Sequence, residues 1–247
     1  MQSQGTATKN RFMNSRASGN KAYIPTDMEH IANVLTHALS VIPSLMGLFL
    51  LLQRSSDKRK YFSGFIYGAA LVALFLISTT FHYVFYTKRF RSLKEILHVC
   101  DRAVIYIFIA ASYTPWLVLK DVERNFWTQN ISWIVWTMAV LGIIYQYYFH
   151  ERYKTLETLF YIVIGVTPAC AMFYMHESSG MWELCIGGVI YMTGVVFFKC
   201  DGRIPCAHAI WHLFVNIGAT FHFYAVYKYL INDEDQNSVP TQKEIPS

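Results

Sequence analysis

Seven stretches of the chain contain no Asp, Glu, Lys or Arg, and they constrain its fold more than any other feature of the sequence. They run from His30 to Gln53, Tyr61 to Thr87, Ala103 to Leu119, Asn125 to His150, Thr158 to His176, Leu184 to Phe198 and Ile204 to Tyr227. A bilayer-spanning helix needs about 20 largely apolar residues, because only a helix or a closed barrel satisfies its own backbone polar groups in hydrocarbon. The composition agrees, with 54% of residues hydrophobic and 15% charged, well outside the balance of ordinary soluble domains. The sixth stretch is the shortest, and it spans if Glu183 and Lys199 at its ends reach the interface. The expected fold class is all-α: a polytopic membrane protein with seven transmembrane helices over residues 30–230. A disordered segment (1–29) precedes this domain and a short polar tail (231–247) follows it.

The net charge of +5 does not imply nucleic-acid binding, because the basic residues are spread over short loops instead of forming one surface. With seven crossings, thirteen of the 21 lysines and arginines fall on the face that carries the amino terminus. The positive-inside rule therefore places the amino terminus in the cytosol. Thr26 and Glu29 have the spacing of a capping box at the start of the first helix, and no cleavable signal peptide is expected. The five cysteines, Cys100, Cys170, Cys185, Cys200 and Cys206, show no paired spacing on the outer loops, so a disulfide framework is not expected.

Ionisable side chains inside a span are costly, which makes each one a functional candidate. Ser78 and His82 in "STTFH" are four apart and share one face of the second helix. "HVCDR" brings His98 and Asp101 to the opening of the third helix. "CAHAIWH" sets His208 and His212 on one face of the seventh, behind Pro205, read as its first-turn proline. Helix direction then matters. The second helix ends, and the third and seventh begin, at the same membrane face, so His82, Asp101, His208 and His212 all fall in one leaflet. Their depth is about 5 to 13 residues from the nearest flanking basic residues, or roughly 8 to 20 Å at ~1.5 Å per residue.

Three neutral imidazoles with an open fourth position make a catalytic zinc arrangement, and the ion would relieve the burial of unpaired polar rings. His82, His208 and His212 are the candidate ligands, with their nitrogens expected within about 4 Å of one another. Asp101 is the candidate proton acceptor or holder of an imidazole, and Ser78 the candidate donor to a polarised carbonyl. The competing reading is that the histidines are interhelical hydrogen-bond partners, and spacing alone leaves both open. Cys200 and Cys206 are substitute ligands of lower rank. Glu29, His30, Asn33 and His37 form a second polar group on the first helix, read as a helix contact or outer support for the site. His150 and His176 are read as solvated helix ends, and His222 as structural, ~15 Å deeper than His212.

These segments carry a resemblance. "EHIANVLTH", "STTFHYVF", "HVCDRAVIYIFIAASYTPW" and "FFKCDGRIPCAHAIWHLFV" together look like the progestin and adipoQ receptor family, whose bacterial relatives are the haemolysin III proteins, and within it the monocyte-to-macrophage differentiation factor group. The likeness runs from about Arg11 to Leu230. It implies a seven-helix, adiponectin-receptor-like fold with the amino terminus in the cytosol. It also implies a Zn2+ ion on His82, His208 and His212, with Asp101 and Ser78 beside it. Hydrolysis of a membrane lipid amide is the activity the resemblance implies, with ceramide the natural candidate substrate. About thirty residues precede the first helix here, where adiponectin receptors carry a long segment, so an adiponectin-like hormone is not the expected ligand. The alternatives are a non-catalytic signalling receptor or scaffold with a structural zinc and, more weakly, a haemolysin-like pore, although no helix repeats a polar stripe along its length. The resemblance places the chain in an internal membrane, Golgi or endolysosomal.

Overall fold

The computed structural model describes residues 11–17, 23–123 and 125–232 of the chain. Among the described residues seven long helices follow one another: α1 (Asp27–Gln53), α2 (Lys58–Thr87), α3 (Arg91–Leu119), α4 (Phe126–Phe149), α5 (Lys154–Val166), α6 (Met181–Lys199) and α7 (Ala207–Val226). α5 runs on as a 3₁₀ segment, Thr167–Tyr174, and α7 as a π turn, Tyr227–Ile231. Counting these extensions, all seven are long and apolar enough to cross a membrane. Among the described residues there is no strand, only an isolated bridge between Val122 and Met175.

Local chemistry sets the ends. Thr26 accepts the Glu29 N–H at the start of α1, Asp57 accepts the Arg59 and Lys60 N–H groups at the start of α2, and Asn125 with Thr128 forms a reciprocal capping box on α4. α5 tightens into 3₁₀ geometry where Pro168 removes a backbone donor. α3 begins at Arg91, well before the charge-free stretch that starts at Ala103. Absence of charge marks the lipid-embedded part of a helix, not its water-exposed turns. Pro205 lies outside α7: Cys206, in a left-handed conformation with φ 53°, is the cap, so the expected first-turn proline sits one residue before it.

α2 packs between α1 and α3, α3 against α4 and α5, and α7 against α6 and α1. The main core joins Tyr67, Leu71, Leu74 and Phe75 of α2 to Phe108, Ala111 and Trp116 of α3 and to Val215 and Ala219 of α7. Leu39, Trp133 and Trp182 point outward, as expected where the solvent is lipid. Small residues permit close crossings. A Cβ on Gly187 of α6 would lie 2.3 Å from the His222 ring of α7.

Part of the expected disordered segment is packed. In residues 11–17, Asn14 is buried and its Nδ2 donates to Asp201 Oδ1 at 3.0 Å. The Phe12 carbonyl accepts the Cys206 N–H at 3.2 Å. Gly202 has φ +70°, and a Cβ there would meet the Arg16 backbone at 2.4 Å, so the loop between α6 and α7 needs glycine to receive this strap. Composition misses it because its partners are loop atoms far along the chain. Residues 1–10, 18–22 and 233–247, also expected to be disordered, lie outside the described residues.

Candidate metal centre

α2 carries Ser78 and His82 one turn apart close to its amino-terminal-face end, and α7 carries His208 and His212 in its first turns. The three imidazoles form a triangle, with ring centroids 5.2 Å apart for His82 and His208, 5.0 Å for His82 and His212, and 4.7 Å for His208 and His212. One ligand nitrogen from each lies within 4.8 Å of the others. Bonds of ~2.0 to 2.1 Å to a single ion would require such a convergence. All three residues are buried, and neither ring nitrogen of His82 has a hydrogen-bond partner. Such orphaned nitrogens cost about 1 to 3 kcal/mol each. The donor set therefore fits a divalent ion of the kind that imidazoles bind.

A residue without a sequence signal supports the site. Thr36 Oγ1 donates to the Ala32 carbonyl at 2.8 Å and lies 3.0 Å from His212 Nδ1. With its proton committed, the hydroxyl accepts from Nδ1–H, which leaves the Nε2 lone pair of His212 for a ligand bond. His37 stacks on His212 with centroids 3.7 Å apart and planes 18° apart. Parallel stacking turns faces, not lone pairs, toward each other, and His37 is not part of the converging group. Asn33 Nδ2 donates to Tyr23 Oη at 2.8 Å, and His30 meets Phe85 edge-on. The polar stripe of α1 is thus a helix contact, and through Thr36 and His37 it also buttresses the triad.

Ser78 and Asp101 are both buried, and the Ser78 hydroxyl donates to the Asp101 carboxylate. Asp101 on α3 is thereby tied to the turn before His82. His98 does not join them. Its Nδ1 lies 2.9 Å from His150 Nε2, its Nε2 lies 3.4 Å from Glu151, and Gln146 hydrogen-bonds the other nitrogen of His150. His150 is therefore not a solvated helix end, because the turn after α4 folds it inward against α3. His98, His150 and Glu151 have metal-ligand spacing too, but Arg102 and Lys154 lie 3.5 Å and 2.9 Å from Glu151 and already supply its positive partners. Burial alone would raise the Glu151 carboxyl, yet these two cations hold it below its ordinary value. The Cys206 thiol is pushed up by burial, which makes it a poor ligand, and neither Cys200 nor Cys206 belongs to a metal-spaced group among the described residues. His222 packs against Tyr191, away from the triad.

A cavity of about 720 Å³ runs from the amino-terminal face down to His208. Its walls include Tyr23, Arg102 and Phe198, and of the triad it is His208 that borders the cavity.

The haemolysin-III-related family model matches residues 28–223. The chain is 48% identical to monocyte to macrophage differentiation factor of Homo sapiens over 221 residues, covering 89% of this chain and 92% of the relative. It is 32% identical to Hemolysin-3 of Bacillus cereus over 209 residues, 82% of this chain and 92% of that one. The Hemolysin-3 homolog of Bacillus subtilis (strain 168) matches over 212 residues, also at 32% identity, covering 83% of this chain and 96% of the relative. Together with seven spanning helices and no strand among the described residues, these matches show that the chain belongs to the haemolysin-III-related (PAQR) family.

Proposed function

We propose that His82, His208 and His212 hold a zinc ion within the bilayer and that the site hydrolyses the amide bond of a membrane lipid of the ceramide type. The observation that carries this reading is the convergence of three buried imidazoles from α2 and α7, with His82 unpartnered at both nitrogens. When bound, zinc supplies Lewis acidity that polarises a carbonyl and lowers the proton affinity of water. The chain's own residues do the rest. Thr36 favours the His212 tautomer that frees Nε2, and His37 stacks on the His212 ring face outside the ligand group, so three histidine ligands would leave room for substrate or water. Asp101, oriented by Ser78, takes the proton from the attacking water and delivers it to the leaving amine. Ser78 orients that carboxylate and donates toward the developing oxyanion once Asp101 is protonated. The excess of basic residues on the amino-terminal face supports a cytosolic position for that face, and an internal membrane, Golgi or endolysosomal, is the proposed location.

Purified wild-type protein is expected to carry about one zinc per chain. The double variant His208→Ala/His212→Ala is expected to carry none, and zinc retained in it sinks the metal reading. Asp101→Asn is expected to keep the metal and to lose about 10² to 10⁴-fold in fatty acid release from ceramide. A wild-type protein that releases no fatty acid from ceramide or other N-acyl lipids leaves the second reading, a signalling receptor or scaffold. In that reading the zinc ties α2 to α7, which the burial of His82 between the two α7 imidazoles favours.

A further inference from the structure

The cavity that ends at His208 has a charged mouth which the metal chemistry does not use. Five of its lining residues are basic: Arg16, Arg102, Arg152, Lys154 and Lys199. Two of them are neutralised. Arg102 lies between Glu151 and Glu157, and Lys154 pairs with Glu151. Asp201, the other carboxylate on the wall, is engaged by Asn14. Arg16, Arg152 and Lys199 have no carboxylate within ion-pair distance among the described residues, so the mouth has an excess of positive charge. The cavity also meets the first turn of α5, which no side chain caps, and the start of a helix favours an anion.

Part of the remaining wall is apolar, with Leu156 and Leu159 of α5 and Phe198 of α6, beside the polar Tyr23, Tyr153 and Thr155. α5 packs on α3 and α4, whereas α6 packs on α7, and the two neighbours in sequence share no extended contact. The mouth therefore sits above a gap between two spans, where an acyl chain can lie with its headgroup at the surface. A free cationic cluster above an apolar cleft is complementary to an anionic amphiphile.

We propose that this cavity seats the phosphate of a membrane phospholipid, held by Arg152, Lys199 and Arg16 at the start of α5, with the acyl chains against Leu156, Leu159 and Phe198. The seat does not depend on a metal at the histidines. It is tested by native mass spectrometry of the full-length protein titrated with dioctanoyl phosphatidate, with dioctanoylglycerol, which lacks only the phosphate, or with inorganic phosphate. The expected result is a saturable one-to-one phosphatidate adduct, with dioctanoylglycerol and the Arg152→Ala/Lys199→Ala variant each weaker by about tenfold or more. Both side chains are exposed, and the single charge reversal Arg152→Glu provides an independent loss should the double variant misfold. Equal binding of dioctanoylglycerol overturns the proposal, as does undiminished phosphatidate binding in the variants, which would leave the basic rim with a topological role only. Inorganic phosphate that displaces phosphatidate at equal concentration assigns the seat to the free anion and overturns the lipid.

Discussion

The hydroxyl of Thr36 lies between the Ala32 carbonyl and Nδ1 of His212, and this small contact favours the tautomer that leaves Nε2 free for the proposed metal. Thr36→Val keeps the shape and removes the acceptor. Zinc affinity is expected to fall about 10 to 100-fold while Thr36→Ser retains it, as read by competition with a chromogenic chelator; equal affinities for wild type and Thr36→Val would show that the tautomer is fixed elsewhere. Residues at this scale were unevenly legible. His208 and His212, and Ser78 and His82, announce themselves by spacing of four, and helix direction puts both pairs in one leaflet with Asp101. Thr36 has no such signal, because a hydroxyl beside His37 on a polar helix face looks like any other. The pairing of His98 with His150 was hidden for another reason: it depends on how the turn after α4 folds back, and spacing does not encode that.

At the scale of elements, the seven spans were legible because lipid imposes one rule on each of them. The departures occur where lipid no longer rules, in the water-exposed start of α3, the 3₁₀ end of α5 behind Pro168 and the docked strap at residues 11–17. Helix crossings also escaped the sequence reading, since apolar residues face lipid and protein alike. The α6–α7 crossing illustrates this. Gly187 admits the His222 ring, and an added methyl would overlap it at 2.3 Å. Gly187→Ala is therefore expected to cost about 1 to 3 kcal/mol, measured as a lowered midpoint of thermal unfolding in detergent, and His222→Ala in the same chain is expected to recover part of that loss. An unchanged midpoint would mean that the helices part without penalty.

At the scale of the whole molecule, the proposed ion would join α2 to α7, two helices that belong to one core but are separated in sequence by four others. A ligand that binds only the folded state adds about 3 to 4 kcal/mol when present at 100 to 1,000 times its Kd. Stripping the protein with a strong chelator is thus expected to lower its unfolding midpoint by several degrees. Added zinc should restore it, and the His208→Ala/His212→Ala variant should respond to neither treatment. Insensitivity of the wild type would remove the cross-linking role.

The order of helices also has a consequence for biosynthesis. Because His208 and His212 open α7, which is made after the six other described helices, the triad cannot assemble on a nascent chain however early His82 has been inserted. Until translation delivers α7, His82 waits in the bilayer with neither neighbour in place. A chain truncated before Ala207 would carry the full burial cost of that imidazole and none of its relief.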